Sequence, residues 1–220
     1  KKALKYMFKE RQNKIKDILN GRGYDKEVLF LEHHLCHAAS AVFTCPAEIF
    51  NGKSLVITAD GAGDGLSGTV YIAEKGVLKK IHEINQFNSL AFLYSYVTEI
   101  CGYTPMKHEG KITGLAAFGK PTYLEVFKKM IRYKNGSFYN ICGKQHQAAI
   151  DFIKNEIGEN FNKADLAASI QVFIEGEFTK FINYWVQKTG VRDILLAGGL
   201  FANVKLNQKL HEQPLINSIF

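Results

Sequence analysis

The sequence predicts an α/β fold. Three features carry that expectation: short, wholly apolar runs that end in glycine-rich turns, helix-patterned segments that follow them, and two alternating segments joined by a tight turn. With 220 residues, 46% of them hydrophobic, the chain can bury a sizeable core and is not a disordered polypeptide.

Taken in order, Lys1 to about Asn20 has the spacing of a basic amphipathic helix. Leu4, Met7, Phe8, Ile15, Ile18 and Leu19 form its apolar face, and Gly21-Arg22-Gly23 stops it. Val28-Leu29-Phe30-Leu31 reads as a buried strand, and His33 to about Phe43 as a helix rich in small residues. Ser54 to Ala59 is a second buried strand. Ser67 to Ala73 and Val77 to Ile84 form a hairpin around Glu74-Lys75-Gly76. Ser89 to Ile100 is a helix with Ser89 as N-cap and Gly102 as stop. A loop at Lys107 to Lys111 leads into a glycine-containing segment, Ile112 to Gly119. A helix starts at Pro121-Thr122 and ends near Tyr133, and Asn135-Gly136 turns into a short strand at Ser137 to Ile141. Lys163 to Lys188 is a long helix, Asp193 to Ala197 a buried strand, Gly198-Gly199 a tight turn and Leu200 to His211 a further helix. Ile216 to Phe220 reads as a strand cut short. There is no internal repeat.

The net charge of +7, from 28 Lys+Arg against 21 Asp+Glu, suits small anionic ligands. The basic residues are spread out, densest at Lys1-Lys2, Lys79-Lys80 and Lys128-Lys129 with Arg132, so nucleic acid is not an expected partner. Four cysteines, Cys36, Cys45, Cys101 and Cys142, form no C-x-x-C pair. That spacing argues against a zinc ribbon or a disulfide framework and for a reducing, cytoplasmic setting. On a helix Cys36 faces away from His33 and His37. No apolar run approaches the roughly 20 residues that cross a bilayer, and there is no signal peptide.

The chemistry-bearing residues cluster. His33 and His37 lie four apart, which on a helix places both imidazoles on one face, as a divalent metal requires. The same spacing occurs in ordinary surface and core histidines. His34 points elsewhere, toward substrate or a supporting role. Asp60 ends an apolar strand in Asp60-Gly61-Ala62-Gly63-Asp64-Gly65, where a carboxylate can bind a metal and glycines let backbone N–H groups approach phosphate. A simple Asp-Gly turn has the same composition. Gly198-Gly199 before a helix, with Asn203 one turn in, suits a phosphate or nucleotide, although a tight connection needs no more than this. Glu109 and Lys111 flank Gly110 in a loop that either binds phosphate or is merely solvated.

Five stretches, in this order, resemble the carbamoyltransferase family of the NodU, CmcH and TobZ type: Glu32 to Ala41, Asp60 to Ser67, His108 to Gly119, Asp165 to Gln171 and Gly198 to Asn203. The last two are shared with TsaD-type tRNA-modifying proteins. The resemblance implies an actin-like ATPase fold, with RNase-H-like lobes around a nucleotide cleft. It implies transfer of a carbamoyl group from carbamoyl phosphate, through a carbamoyl-adenylate made with ATP, to a hydroxyl of a sugar or natural-product acceptor. His33, His37 and Asp60 then match metal ligands for iron or zinc, and Gly198, Gly199 and Asn203 match the nucleotide-contacting turn. Lys111 falls in a motif lining the same cleft, and His34 is the expected general base. A homodimer is also an expected partner arrangement.

Against the family's pattern the chain is expected to be a partial N-terminal domain, 1–220. An N-terminal strand and loop, a later Asp-Gly segment with a further metal ligand, and a YrdC-like domain would lie elsewhere, so little turnover is expected of the chain alone. Two rival readings stand beside this one: a TsaD-like threonylcarbamoyl transferase acting on tRNA, and a non-catalytic nucleotide-binding domain.

Overall fold

The computed structural model describes the backbone of residues 2–220 and the side chains of residues 8–220. Its sheet is organised on β1 (Lys53–Gly63), whose residues 54–59 are buried without interruption, as a strand covered on both faces must be. β2 (Leu66–Glu74) and β3 (Val77–Asn85) fold back antiparallel beside it. β4 (Ile131–Lys134) and β5 (Ser137–Asn140) form a separate hairpin. β6 (Asp193–Ala197) runs parallel to β1, and β7 (Ser218–Ile219) parallel to β6, giving the order β3-β2-β1-β6-β7. Three hairpins turn on two residues with positive φ: Asp64 (51°) with Gly65 (85°), Lys75 (50°) with Gly76 (78°) and Asn135 (49°) with Gly136 (74°). That is the geometry whose twist matches the flanking strands.

Alternation along β1 sorts its side chains to two cores. Val56 joins Tyr71 and Leu195 on one face, under Ala38, Ala41 and Val42 of α2 (His33–Thr44) and the short α3 (Ala47–Asn51); α1 (Lys2–Asn20) precedes both helices. Leu55, Ile57 and Ala59 join the larger core on the other face. That core is filled from α4 (Leu90–Ile100), α5 (Glu109–Ala116), α6 (Leu124–Lys128), α7 (Gln147–Ile157), α8 (Lys163–Thr189) and α9 (Val204–His211). α8 is the central helix. The Asn162 side chain accepts from the Ala164 and Asp165 N–H groups at its start, and left-handed Gly190 ends it. Between these caps Leu166, Ile170, Phe173, Ile174, Phe178, Phe181, Ile182 and Trp185 are all buried.

The α/β expectation holds, in one five-stranded lobe among the described residues. Several local expectations change. Val28–Leu31 forms no strand, with Leu29 and Leu31 exposed at 75% and 70%, because no strand pairs with it among the described residues. The helix expected from Pro121 to Tyr133 is only α6, since Ile131 and Tyr133 pair with β5 instead. The loop at Lys107 to Lys111 gives way to α5 at Glu109, whose carboxylate reaches back to the Met106 N–H in the turn ahead of the helix. The helix expected from Leu200 is a 3-10 turn, Gly199–Ala202, followed by α9. α3 and α7 were not expected. Of the apolar positions assigned to α1, Leu4 and Met7 lie outside the described side chains.

Candidate metal centre and its cleft

Helix α2 begins directly above the end of β1. Two carboxylates cap it: Glu32 accepts from the His34 N–H at 2.8 Å, and Asp64 from the His33 N–H at 2.7 Å. Negative groups belong at a helix N-terminus, where unpaired N–H groups and the positive end of the dipole face outward. Asp64 reaches that position from the turn after β1, in a left-handed conformation with φ 51°. One turn separates His33 from His37, so both rings hang over Asp60. His33 Nε2 and His37 Nε2 each lie 3.2 Å from Asp60 Oδ2, and 3.1 Å from one another.

Gly63 makes this possible. A Cβ there would fall 2.0 Å from His33 Cδ2. At Gly199 a Cβ would come within 3.1 Å of Asp60 Oδ1. At Gly198 (φ 105°) it would sit 2.4 Å from the Ala59 carbonyl oxygen, so only glycine lets β6 turn this close to β1. Burial alone would push the Asp60 carboxyl up. The Gly61 N–H at 2.7 Å and the two imidazoles outweigh it and hold the group below the usual carboxylate range.

Three electron-pair donors face one another, and one divalent cation would satisfy all of them. For tetrahedral zinc with ligands at about 2.0–2.1 Å, neighbouring donors lie about 3.3 Å apart, close to the spacing found here. Two histidines and a carboxylate are also a set that holds non-haem iron. The residues present therefore fit either metal. His33, His37 and Asp60 are the metal-capable cluster among the described residues.

Asp60 also lines a cavity of about 310 Å³. Gly61, Tyr94, Ser95, Lys107, Glu109 and Gly199 contribute to its walls. The size is at the lower end for small-molecule sites. Glu109 Oε1 is held by the Ser95 hydroxyl at 2.9 Å and the Met106 N–H at 2.6 Å. At the cavity floor Tyr94 donates to Gln171 Oε1 at 2.8 Å, and burial pushes its phenol far up.

Three expected roles change with this geometry. His34 is not a base facing an acceptor. It is 0% exposed, Nδ1 lies 2.8 Å from Thr58 Oγ1, and Nε2 lies 3.2 Å from the Leu66 carbonyl oxygen. Lys111 is exposed, rests over the Tyr103 ring at 5.2 Å and is not among the cavity's lining residues; Lys107 is. Asn203 reaches the cavity wall, but its amide is engaged. It caps α9 through the Leu206 N–H and exchanges two hydrogen bonds with Gln171. Gly199 lines the cavity, whereas Gly198 serves the close approach of β6 to β1. Thr58, Glu109 as a fixed carboxylate, and the two capping carboxylates were not anticipated. Thr58 had a signal: it lies two residues before Asp60 on a strand and so shares its face.

In this α/β lobe a histidine pair and a strand-end aspartate thus stand at the edge of a cleft. The family model for the carbamoyltransferase N-terminus matches residues 3–220, and the chain belongs to that family. Nodulation protein NolNO of Sinorhizobium fredii is 29% identical over 198 residues, covering 88% of this chain and 28% of that protein. Nodulation protein NolO of Bradyrhizobium diazoefficiens is 29% identical over 195 residues, 86% of this chain and 35% of that protein. An uncharacterized protein of Methanocaldococcus jannaschii, MJ1058, is 30% identical over 221 residues, 90% of this chain and 35% of that protein. The chain thus spans about a third of the length of these relatives. The crystal structure of HypF from T. kodakarensis shares the fold, with a TM-score of 0.53 and 14% identity over 95% of this chain and 36% of that one.

Proposed function

We propose that this chain serves carbamoyl transfer to a hydroxyl of a sugar or natural-product acceptor. Carbamoyl phosphate is the source and a carbamoyl-adenylate, formed with ATP, the activated donor. One observation carries the reading: three metal-type donors converge within 3.2 Å, and one of them, Asp60, opens onto the cavity. Membership of the carbamoyltransferase family and the likeness to two nodulation proteins support it.

His33, His37 and Asp60 would hold iron or zinc, which when bound supplies a Lewis acid beside the cavity. In the transfer the acceptor oxygen bonds to the carbamoyl carbon. The bond from that carbon to the AMP oxygen breaks, the acceptor's proton passes to a base, and AMP leaves as an anion. Glu109 is the lining carboxylate outside the ligand set, and two donors on Oε1 already hold it in place, so it is our assignment for the base. Lys107 on the same wall offsets the charge of departing AMP.

The test is metal content of the purified full chain. Elemental analysis should find close to one iron or zinc per chain, lost in His33→Ala and His37→Ala. Metal content that both variants leave unchanged would overturn the ligand assignment.

A further inference from the structure

His34 sits between the two candidate ligands in sequence yet touches neither Asp60 nor the cavity. One of its hydrogen bonds has a fixed direction. The Leu66 carbonyl can only accept, so His34 Nε2 carries a proton and donates to it at 3.2 Å. On the other side of the buried ring, Nδ1 is hydrogen-bonded to Thr58 Oγ1 at 2.8 Å. Thr58 Oγ1 also accepts from the Thr69 N–H at 3.0 Å and is hydrogen-bonded to Thr69 Oγ1 at 2.6 Å. The ring also abuts both candidate ligands edge-on or tilted, with centroids 5.1 Å from His33 and 6.0 Å from His37.

The partners matter more than their number. Thr58 stands two residues before Asp60 on β1, on the same face. Besides the apolar packing of Ala38, Ala41 and Val42 over Val56, polar side chains join helix α2 to strand β1 at two places: once where His33 and His37 reach Asp60, and once, inside the protein, where His34 reaches Thr58. We propose that His34 and Thr58 are positioning residues, whose hydrogen bond fixes how α2 lies along β1 and so where the two imidazoles meet Asp60. The proposal rests on the metal reading above and adds to it the device that sets the ligand geometry.

The experiment uses cobalt(II) as probe with the full chain, and reads its dissociation constant and visible absorption spectrum beside the melting temperature of the metal-free protein. Thr58→Val keeps the shape and removes the hydroxyl; Thr58→Ser keeps the hydroxyl. Ile153→Val, fully buried in α7, reports general loosening of the core. Thr58→Val should weaken cobalt binding about 10–100-fold and alter the spectrum, the usual scale for lost support of a metal ligand. Thr58→Ser should restore both, and Ile153→Val should change neither. Wild-type affinity and spectrum in Thr58→Val would overturn the proposal, as would equal weakening in Ile153→Val. Cobalt binding indifferent to His33→Ala would instead overturn the metal reading, and this proposal with it.

Discussion

Gly63 gives the His33 ring its room. A methyl group there would overlap the imidazole, so Gly63→Ala should leave the fold intact and cost at least about tenfold in metal affinity, measured by cobalt titration. Glu109 makes a different kind of claim. Glu109→Gln keeps the shape and the contacts to Ser95 and Met106 but removes the base, so it should retain metal while turnover falls about 10²–10⁴-fold in a carbamoyl-transfer assay. The pairing of His33 with His37 was legible because helical spacing alone puts the two rings on one side. The roles of His34, Lys111 and Asn203 were not. Sequence order says which residues are neighbours, not whether a polar side chain is already occupied, and two of these three spend their hydrogen bonds inside the protein.

Elements with strong caps or uninterrupted burial were readable in the sequence. α8 lies between Asn162 and Gly190, and β6 spans Asp193–Ala197 as expected. Val28–Leu31 shows the limit, since an apolar run states that burial is favourable but not that a partner strand lies alongside. The region after Pro121 failed for the opposite reason: helical propensity there yields to the pairing of β4 with β5. That hairpin is seated on α8, where Trp185 Nε1 donates to the Gly136 carbonyl at 3.1 Å. A Cβ on Gly136 would come 2.2 Å from Tyr184 Cε1, at a φ of 74° that side chains rarely adopt. Gly136→Ala should therefore destabilise the fold by about 1–3 kcal/mol, read as a shifted denaturant midpoint with an unchanged slope.

At the scale of the whole molecule, stability should fall on mild acidification. His82 on β3 lies under the β4–β5 hairpin and α8, with Nε2 3.1 Å from Ser137 Oγ and its ring 5.0 Å from that of Trp185. Burial lowers its pKa, the Lys188 charge lowers it further, and Glu83 opposes them. The unfolded chain therefore binds this proton more readily than the native one. The contribution is fully present above the unfolded value of about 6.5 and is lost as pH falls through the native value below it. His34, lowered chiefly by burial, acts in the same direction. The melting temperature should drop between pH 7 and pH 5, and His82→Gln should flatten part of that drop. An identical pH profile in the variant would count against the assignment.

Asp60 is the one candidate ligand that also lines the cavity. The imidazoles come to it from α2, while the cavity beyond it is walled largely by α4, α5 and the turn after β6. Donor cluster and cavity thus come largely from different stretches of chain. Residues such as Ala91, Met106 and Thr113 can be exchanged to reshape the cavity while the donors at Asp60 stay as they are. A lineage, or an engineer, can recut the chamber of this scaffold without rebuilding the cluster at its edge.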